Sequence, residues 1–425
     1  MKIFLDTIGC RLNQSEIERF ASQFRAAGHA IVESAGEADL VVVNTCAVTS
    51  AAASDSRQKI RQAARQGAED IVVTGCWSTL DPQSAAGLPN VRRVVPNLEK
   101  DRLVADTLGL QPMDFDLEPV AREPLPGVHL RTRAFIKTQD GCDNHCTFCI
   151  TRIARGPGRS ESVRSVVEDI RLAVAGGTRE VVLSGVHLGS WGQDFSPQYH
   201  LADLIRAILT DTDVERLRLS SLEPWDLDEE FFRLWENPRL CRHLHLPLQS
   251  GSDRTLRRMA RNTSPAAFRR LVTVARHAAP GMAVTTDIIV GFPGEDEGEF
   301  SESLAFVQEM NFAGGHVFTY STRPGTPAAR LKDIVPGGVA RSRGVQMRQV
   351  VAQSADRFRG QFIGTEACVL WEATDAYGPS GWKLHGLTDN YLRVETVSAH
   401  HLWNQISRVR IEMQNANGLH GSILE

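Results

Sequence analysis

Hydrophobic residues in the first hundred positions alternate between short continuous runs and helical spacings. Strands are predicted at 2–6, 39–44, 70–74 and 91–95, and helices at 13–27, 51–66 and 98–108. In the first helix, Ile17, Phe20 and Phe24 recur on one face. This order of strands and helices predicts an α/β domain with a doubly wound, flavodoxin-like parallel sheet.

The same alternation returns from residue 133 to about residue 330. Strands are predicted at 134–138, 180–184, 216–220, 243–247, 284–290 and 315–320, with helices between them, such as 162–175 and 265–277. Six strand–helix units predict a partial (β/α)6 barrel with right-handed crossovers. The functional residues of such barrels lie on the loops that follow the strands.

The last quarter of the chain has a different pattern. A long basic helix is predicted at 335–360, followed by strands at 366–372, 382–387, 391–396, 407–413 and 418–424. Short strands with turn residues between them predict an OB-like β-barrel, of the kind that binds oligonucleotides. We therefore expect domains at 1–108, 131–335 and 361–425, a proline-rich linker at 109–130 and a connecting helix at 336–360.

Composition excludes several classes of protein. The 425 residues are 42% hydrophobic and 23% charged, as in ordinary globular proteins. The net charge of -4 gives no global sign of nucleic-acid binding, so any such surface must be local. No apolar run is long enough to span a membrane, and Asp6 interrupts the N-terminus too early for a signal peptide, so we expect a cytoplasmic protein. The eight cysteines are then expected to be metal ligands or buried thiols.

Three cysteines share one short turn in the middle of the chain. Cys142, Cys146 and Cys149 have the spacing CxxxCxxC. Three thiolates can hold three irons of a [4Fe–4S] cluster and leave the fourth iron open for a ligand. The alternative is a zinc knuckle with His145 as its fourth ligand.

Three further cysteines each follow a predicted strand of the N-terminal domain. Because the carboxyl ends of parallel strands share one edge of a sheet, Cys10, Cys46 and Cys76 are expected to converge there. They would form a second three-thiol site. The alternative is three unrelated buried cysteines.

Both patterns resemble the methylthiotransferase family of radical S-adenosylmethionine (SAM) enzymes. The similar stretches are QDGCDNHCTFCITRIARGPGRS, TIGCRLNQSE, VVVNTCAVTS and VVTGCW. GCRLN and the later GLTDNYLRV resemble the branch that acts on N6-threonylcarbamoyladenosine, and the C-terminal barrel resembles a TRAM domain of tRNA-modifying enzymes. The chain departs from the family at Trp77-Ser78 and Thr151-Arg152, and neither departure removes a cysteine.

The resemblance implies two [4Fe–4S] clusters and SAM as cofactors. Cys142, Cys146 and Cys149 would hold the cluster that binds SAM, and Cys10, Cys46 and Cys76 would hold an auxiliary cluster. The implied contacts to SAM come from five residues on the strand-end loops, Ser184, Gly185, Glu223, Gln249 and Gly291.

The implied reaction is transfer of a methylthio group to C2 of threonylcarbamoyladenosine at position 37 of tRNA. The C2–H bond is unactivated, so cofactors carry the chemistry, and no side-chain acid or base stands out. The implied partners are the tRNA anticodon loop, a flavodoxin- or ferredoxin-like electron donor and a sulfur source. Alternatives are methylthiolation of a ribosomal-protein aspartate or of another modified tRNA adenosine, and a zinc-stabilised RNA-binding protein without redox chemistry.

Several other residues have two possible roles. Seven arginines are predicted either to form a phosphate-attracting rim or to lie on a solvated face: Arg152, Arg155, Arg159, Arg254, Arg257, Arg258 and Arg261. His243 and His245 are expected to be packed or hydrogen-bonded, Cys241 to be structural and Cys368 to be buried. Tyr391 and Trp382 are candidates for base stacking or for core packing.

Overall fold

The computed structural model describes residues 1–111, 132–374, 378, 381–416 and 418–424. The predicted linker at 109–130 lies almost entirely outside these residues. In the part of the chain that is described, no helix has the length and apolar character needed to cross a bilayer.

The N-terminal domain is a five-stranded parallel sheet in the order β2-β1-β3-β4-β5. This is the flavodoxin-like order, so the predicted topology is confirmed. The strands are β1 Lys2–Thr7, β2 Ala30–Ile31, β3 Leu40–Thr45, β4 Ile71–Gly75 and β5 Val91–Val95. The helices are α1 Arg11–Ala26, α2 Ser50–Arg65, α3 Cys76–Leu80, α4 Pro82–Ala86 and α5 Leu103–Leu108. Alternate residues of β3 pack on opposite faces, Val41 and Val43 in one apolar cluster and Leu40 and Val42 in the other.

The central domain contains the six predicted parallel strands in two groups of three, β10-β9-β6 and β11-β12-β13. Parallel bridges from Leu217 to Leu240 and from Ser221 to His245 join the groups, and the predicted partial barrel is confirmed. Its strands are β6 Arg133–Lys137, β9 Glu180–Ser184, β10 Arg216–Leu219, β11 His243–His245, β12 Ala283–Val290 and β13 Gly314–Thr319. A separate ladder pairs β7 Gln139–Asp140 with β8 Arg159–Ser160.

Helices surround these strands and enclose one large apolar core. They are α6 Thr151–Arg155, α7 Val163–Ala175, α8 Leu201–Asp211, α9 Glu229–Phe232, α10 Asp253–Arg258, α11 Pro265–Ala278 and α12 Glu297–Met310. Short 3-10 turns occur at Ala35–Glu37, Asn97–Arg102, Leu188–Ser190, Pro224–Asp226, Arg233–Glu236 and Pro327–Arg330. The predicted helix at 98–108 is therefore divided into a 3-10 turn and α5.

The long helix α13, Gly337–Gly360, leads into a closed C-terminal barrel in the order β14-β15-β16-β18-β17. The barrel strands are β14 Glu366–Thr374, β15 Trp382–Thr388, β16 Arg393–Ser398, β17 Ile406–Asn415 and β18 Gly418–Ile423. Trp371 is fully buried in this barrel, and its Nε1 donates to Ser407 Oγ at 3.0 Å. Cys368 is exposed, so the expectation that it is buried was wrong. It lies on a strand of this small barrel, where side chains alternate between core and solvent.

The C-terminal barrel packs against the amino-terminal ends of the central strands. Arg216, the first residue of β10, donates to the carbonyl oxygens of Leu387 at 3.0 Å and Cys368 at 2.7 Å. Asn390 donates to the carbonyl of Gly281, just before β12, at 3.1 Å. Because all six strands are parallel, this docking leaves their carboxyl ends, where the Cys142 loop lies, uncovered by the barrel.

Candidate functional site

The central cysteines lie on a tight loop between β7 and α6. The backbone N–H of Cys142 donates to the carbonyl of Gly156 at 3.1 Å, which closes the loop. Gly141 has φ +71°, and a Cβ there would lie 1.8 Å from the carbonyl oxygen of Pro157. Only glycine fits this approach. The loop is also held to α10 because Thr147 Oγ1 donates to the carbonyl of Arg258 at 2.8 Å.

The three thiols of this loop are close enough to influence one another. Burial raises the pKa of Cys146, and the neighbouring Cys149 raises it further. Burial also raises the pKa of Cys149, with a contribution from Cys142. The structure thus brings the three predicted ligands together.

Hydrogen-bond donors surround these sulfur atoms. Arg261 Nη1 donates to Cys146 Sγ at 3.6 Å, and the backbone N–H of Asn144 donates to Cys142 Sγ at 3.4 Å. Donors of this kind stabilise thiolates and the sulfurs of iron–sulfur clusters. The loop chemistry therefore fits an iron–sulfur cluster.

The zinc-knuckle alternative would need His145 as its fourth ligand, and this side chain is exposed. Among the described residues, no group of three or more His, Cys, Asp or Glu side chains is arranged to hold a metal ion, and this applies to the three thiols of the loop as well as to His145. Three soft thiols spread around one loop suit a cluster with several irons better than a closed tetrahedral site.

His187 is a neighbour of the cysteine loop that the sequence analysis did not single out. Its Nε2 lies 2.6 Å from Asp226 Oδ2, and its Nδ1 lies 3.3 Å from Asn144 Nδ2. Burial alone would lower the pKa of His187, but Asp226 and Cys142 raise it to about 10. The only signal in the sequence was its place in the polar loop after the second strand of the barrel.

The five residues expected to contact SAM lie on the loops after the barrel strands. Ser184 is the last residue of β9 and Gly185 follows it, and Glu223 and Gln249 lie on the next two loops. Glu223 accepts both guanidinium arms of Arg261, at 2.9 Å and 2.5 Å, so it is connected to Cys146 through that arginine. These positions share the end of the barrel that carries the Cys142 loop.

Gly291 follows β12 and has a packing reason to be glycine. Its φ is +71°, and a Cβ there would lie 2.6 Å from the Cβ of Ala340 in α13. Its backbone N–H donates to Glu295 Oε1 at 2.9 Å. The close approach that requires glycine is thus to α13, while contact of Gly291 with SAM stays a prediction.

The N-terminal cysteines also converge, at the carboxyl ends of three neighbouring strands. Gly9, next to Cys10, has φ +107°, and a Cβ there would lie 2.6 Å from Cys46 Sγ. Burial raises the pKa of Cys46 to about 11, and the thiols of Cys10 and Cys76 add to this shift. Cys46 and Cys76 are buried, but Cys10 is exposed, so the alternative of three buried cysteines does not describe this site.

The two cysteine sites adjoin each other. Helix α3, which begins at Cys76, packs on α6, which follows Cys149. Asn97 connects them, because its Nδ2 lies 3.7 Å from Cys76 Sγ and donates to the carbonyl of Ala154 at 2.8 Å. The departure at Trp77 does not disturb this arrangement, since that ring is buried in the apolar core of the N-terminal domain.

Most of the predicted basic rim is occupied within the protein. Arg155 and Arg261 are buried in ion pairs, and Arg258 is paired with Glu299. Arg152 and Arg257 remain exposed. A rim formed by all seven arginines is therefore excluded.

Tyr391 joins the three domains. Its ring stacks on His243 with centroids 4.6 Å apart, and its hydroxyl accepts from Arg11 at 3.0 Å. The guanidinium of Arg218 lies 5.0 Å from its ring centroid. Of its two predicted roles, packing is the one that the structure supports. Trp382 contacts His401, with ring centroids 4.8 Å apart.

Two histidines and one cysteine of the central domain have the surroundings that the sequence analysis predicted. His243 Nε2 and His245 Nδ1 each lie 3.0 Å from Thr285 Oγ1, which confirms hydrogen-bonded roles. Cys241 is buried, which agrees with the structural role expected for it, and burial raises its pKa to about 12.

Comparison with known protein families gives one match for the segment that carries the Cys142 loop and another for the segment that carries Cys10, Cys46 and Cys76. A family profile described as the radical SAM superfamily matches residues 136–307, and one described as uncharacterized protein family UPF0004 matches residues 2–95. The threonylcarbamoyladenosine tRNA methylthiotransferase MtaB of Bacillus subtilis is 34% identical over 425 residues, covering 95% of this chain and 92% of that protein. The MtaB of Thermotoga maritima is 36% identical over 379 residues, covering 87% and 86%.

Solved structures support the fold alone. The radical S-adenosylmethionine methyltransferase TsrM from Kitasatospora setae superposes with a TM-score of 0.58 at 16% identity. The match covers 77% of this chain and 75% of that chain. At this identity the likeness concerns architecture and carries no information about substrate.

Proposed function

The chain belongs to the methylthiotransferase family of radical SAM enzymes, and we propose that it transfers a methylthio group to C2 of N6-threonylcarbamoyladenosine at position 37 of tRNA. The observation that carries the proposal is the meeting of two three-cysteine loops through α3 and α6. One loop provides the site of radical generation and the other the source of sulfur, and their contact allows both to face one base.

Cys142, Cys146 and Cys149 hold the cluster that binds SAM in this proposal, and Cys10, Cys46 and Cys76 hold the auxiliary cluster. When bound, these clusters and SAM supply the radical, the sulfur and the methyl group. The protein supplies position: Arg261 and the backbone of Asn144 donate to the sulfurs of the first loop. Ser184, Gly185, Glu223, Gln249 and Gly291 surround SAM at the strand ends in the same proposal.

The Arg261–Glu223 ion pair holds a positive charge beside Cys146 in the proposed SAM site. The guanidinium donates to Cys146 Sγ with Nη1, while both arms are held by Glu223. The same guanidinium lies 4.6 Å from the ring centroid of Trp225. Glu223 thus fixes the arginine beside the cluster thiolate, in addition to any contact it makes with SAM.

The partners in this proposal are the anticodon loop of tRNA, a flavodoxin- or ferredoxin-like electron donor and a sulfur source, in the cytoplasm. The C-terminal barrel would bind RNA with surface outside the Tyr391 loop, because that loop is occupied by contacts with the other domains.

The experiment is an assay of anaerobically reconstituted protein with SAM and a reductant on three substrates. These are tRNA carrying threonylcarbamoyladenosine, tRNA carrying isopentenyladenosine, and the ribosomal protein with the candidate aspartate. We expect a 2-methylthio product from the first substrate alone. Product from either of the other substrates instead would contradict the proposal.

A further inference from the structure

A single buried arginine connects the two cysteine loops. Arg155 is the last residue of α6 and is only 1% exposed. It reaches from the central domain into the N-terminal domain, where its Nη2 donates to Asn13 Oδ1 at 2.7 Å and its Nη1 to Glu16 Oε1 at 2.9 Å. Its Nη1 also donates to Asp140 Oδ1, within the central domain, at 2.8 Å.

On the N-terminal side, Asn13 fixes the loop of the auxiliary site. Cys10 Sγ donates to Asn13 Oδ1 at 3.8 Å, the same atom that accepts from Arg155. The amide nitrogen of Asn13 donates to the carbonyls of Ile8 at 2.7 Å and Thr45 at 3.0 Å, which flank Cys10 and Cys46. The arginine therefore acts on two of the three thiols of this site through one amide.

On the central side, Asp140 fixes the start of the other loop. Its Oδ1 accepts both from Arg155 and from the backbone N–H of Gly141 at 2.8 Å. Gly141 directly precedes Cys142. One guanidinium thus holds a residue of each cysteine loop, and its planar fork suits that geometry.

Buried cations predominate in this network. Arg155, Lys100 and Lys137 are buried beside the carboxylates of Glu16 and Asp140, and Lys137 also pairs with Asp101. Burial alone would raise the pKa of Glu16, but Arg155 and Lys100 hold it well below its usual value, so it is ionised at neutral pH. Any negative charge added at the Cys10 site then interacts most directly with the guanidinium of Arg155.

We propose that Arg155 is a positioning residue that holds the two cysteine loops together and raises the reduction potential of the auxiliary cluster. This proposal rests on the assignment of Cys10, Cys46 and Cys76 in the proposed function. Reduction adds an electron to the cluster, and a buried positive charge beside it stabilises the reduced form. A neighbouring carboxylate has the opposite effect, so Glu16 lowers the potential that Arg155 raises.

The test measures the auxiliary cluster alone. In the background Cys142→Ala/Cys146→Ala/Cys149→Ala, the reconstituted protein is titrated with reductant and followed by electron paramagnetic resonance. We expect Arg155→Gln to shift the potential to more negative values and Glu16→Gln to shift it to more positive values. Arg155→Lys keeps the charge and should restore most of the potential, while losing thermal stability because the fork is gone.

Arg159→Gln is the matched control. Arg159 also pairs with Asp140, at 3.4 Å, but it is partly exposed, and its other hydrogen bonds go to the backbone carbonyls of Arg155 and Pro157 within the same loop. Its substitution should leave the potential close to that of the background protein. If Arg155→Gln does not fold, the sign of the Glu16→Gln shift decides the question.

Three outcomes would overturn the proposal. One is about four irons per chain with a potential that Arg155→Gln leaves unchanged. Another is a Glu16→Gln shift to more negative values. A background protein without iron and sulfide would overturn the cysteine assignment as well, which separates failure of the proposed function from failure of this proposal.

Discussion

Cys10 is the residue on which the division of labour between the two sites depends most directly. It caps α1, contacts Asn13 and lies in the group formed with Cys46 and Cys76. Crowding by protein atoms raises its pKa, and the guanidinium of Arg155 opposes that rise. A metal bound at this loop displaces the proton of the thiol.

Substitution of Cys10 separates the two clusters. We expect Cys10→Ala to reduce the iron content from about eight to about four per chain, because each cluster holds four irons. SAM cleavage should persist while methylthiolation is lost, because the Cys142 loop is intact. The measurements are iron and sulfide content and the amount of cleaved SAM.

Cys368→Ala is the control for that substitution, because this thiol is exposed on the C-terminal barrel. It should keep all iron and full activity. Loss of SAM cleavage in Cys10→Ala would contradict separate roles for the two sites.

Gly75 shows how closely the strands approach beside the auxiliary site. It has φ +103°, and a Cβ there would lie 2.3 Å from the carbonyl oxygen of Thr45. Gly67 has φ +101° but open space around the Cβ position. Substitution of these two glycines therefore distinguishes the cost of backbone strain from the cost of a steric clash between the added Cβ and the neighbouring strand.

We expect Gly67→Ala to lower the free energy of unfolding by about 1–3 kcal/mol, from strain alone. Gly75→Ala should cost about 1–3 kcal/mol more, because the added methyl group overpacks the strand ends. Urea unfolding measures both values. Equal losses in the two variants would mean that the strand ends beside Cys46 and Cys76 can separate at no cost.

At the scale of elements, the sequence predicted those parts of the site that depend on strand order. The thiols of Cys10, Cys46 and Cys76 follow neighbouring strands, and parallel strands place their carboxyl ends together, so convergence followed from the pattern. The CxxxCxxC spacing placed the other three thiols on one loop without any tertiary information.

The contacts between domains could not be predicted, because they depend on the directions of long side chains across large sequence separations. Arg155 had the pattern of a surface cation, yet it is buried against Glu16. Tyr391 was predicted to stack on a base or to pack in a core, and neither prediction included its contact with Arg11, 380 positions away. Periodicity describes one element and carries no information about the element that will cover it.

At the scale of the whole molecule, a buried pair at the base of the barrel supports the docking of the C-terminal barrel. Arg218 and Glu180 are both fully buried, with Arg218 Nε donating to Glu180 Oε1 at 2.6 Å. Arg218 also donates to the carbonyl of Thr388 at 3.2 Å and to that of Asp389 at 2.9 Å. The pair thus links β9, β10 and the loop that carries Tyr391.

Removal of one partner of this pair should be costly. We expect Arg218→Met to lower the free energy of unfolding by about 3–5 kcal/mol, because it leaves the carboxylate of Glu180 buried without its main partner. The double variant Arg218→Met/Glu180→Gln should recover part of this loss. Denaturant unfolding tests both, and a double variant no more stable than the single one would contradict the electrostatic explanation.

Acid should weaken the same docking. Burial alone would raise the pKa values of Glu180 and Asp389, but Arg218 and Arg242, respectively, lower them below their usual values. Carboxyl groups whose pKa is lower in the folded state stabilise it at neutral pH, and this stabilisation is lost as pH falls below the ordinary pKa, about 4.5 for Glu180 and about 3.8 for Asp389, towards the folded-state values.

We therefore expect the thermal midpoint to fall when the pH is lowered from 7 to 3. Asp389→Asn should show a smaller fall, since one of the two carboxylates is absent. A midpoint with equal pH dependence in both proteins would exclude Asp389 as a contributor.

The most direct measurement of the central claim is mass spectrometry of nucleosides from tRNA of cells with and without this gene. The account predicts that cells without the gene lose 2-methylthio-N6-threonylcarbamoyladenosine and accumulate its unthiolated precursor. Reintroduction of the gene should restore the modified nucleoside, whereas the Cys10→Ala form should not. An unchanged tRNA nucleoside profile in the deletion strain would contradict the account.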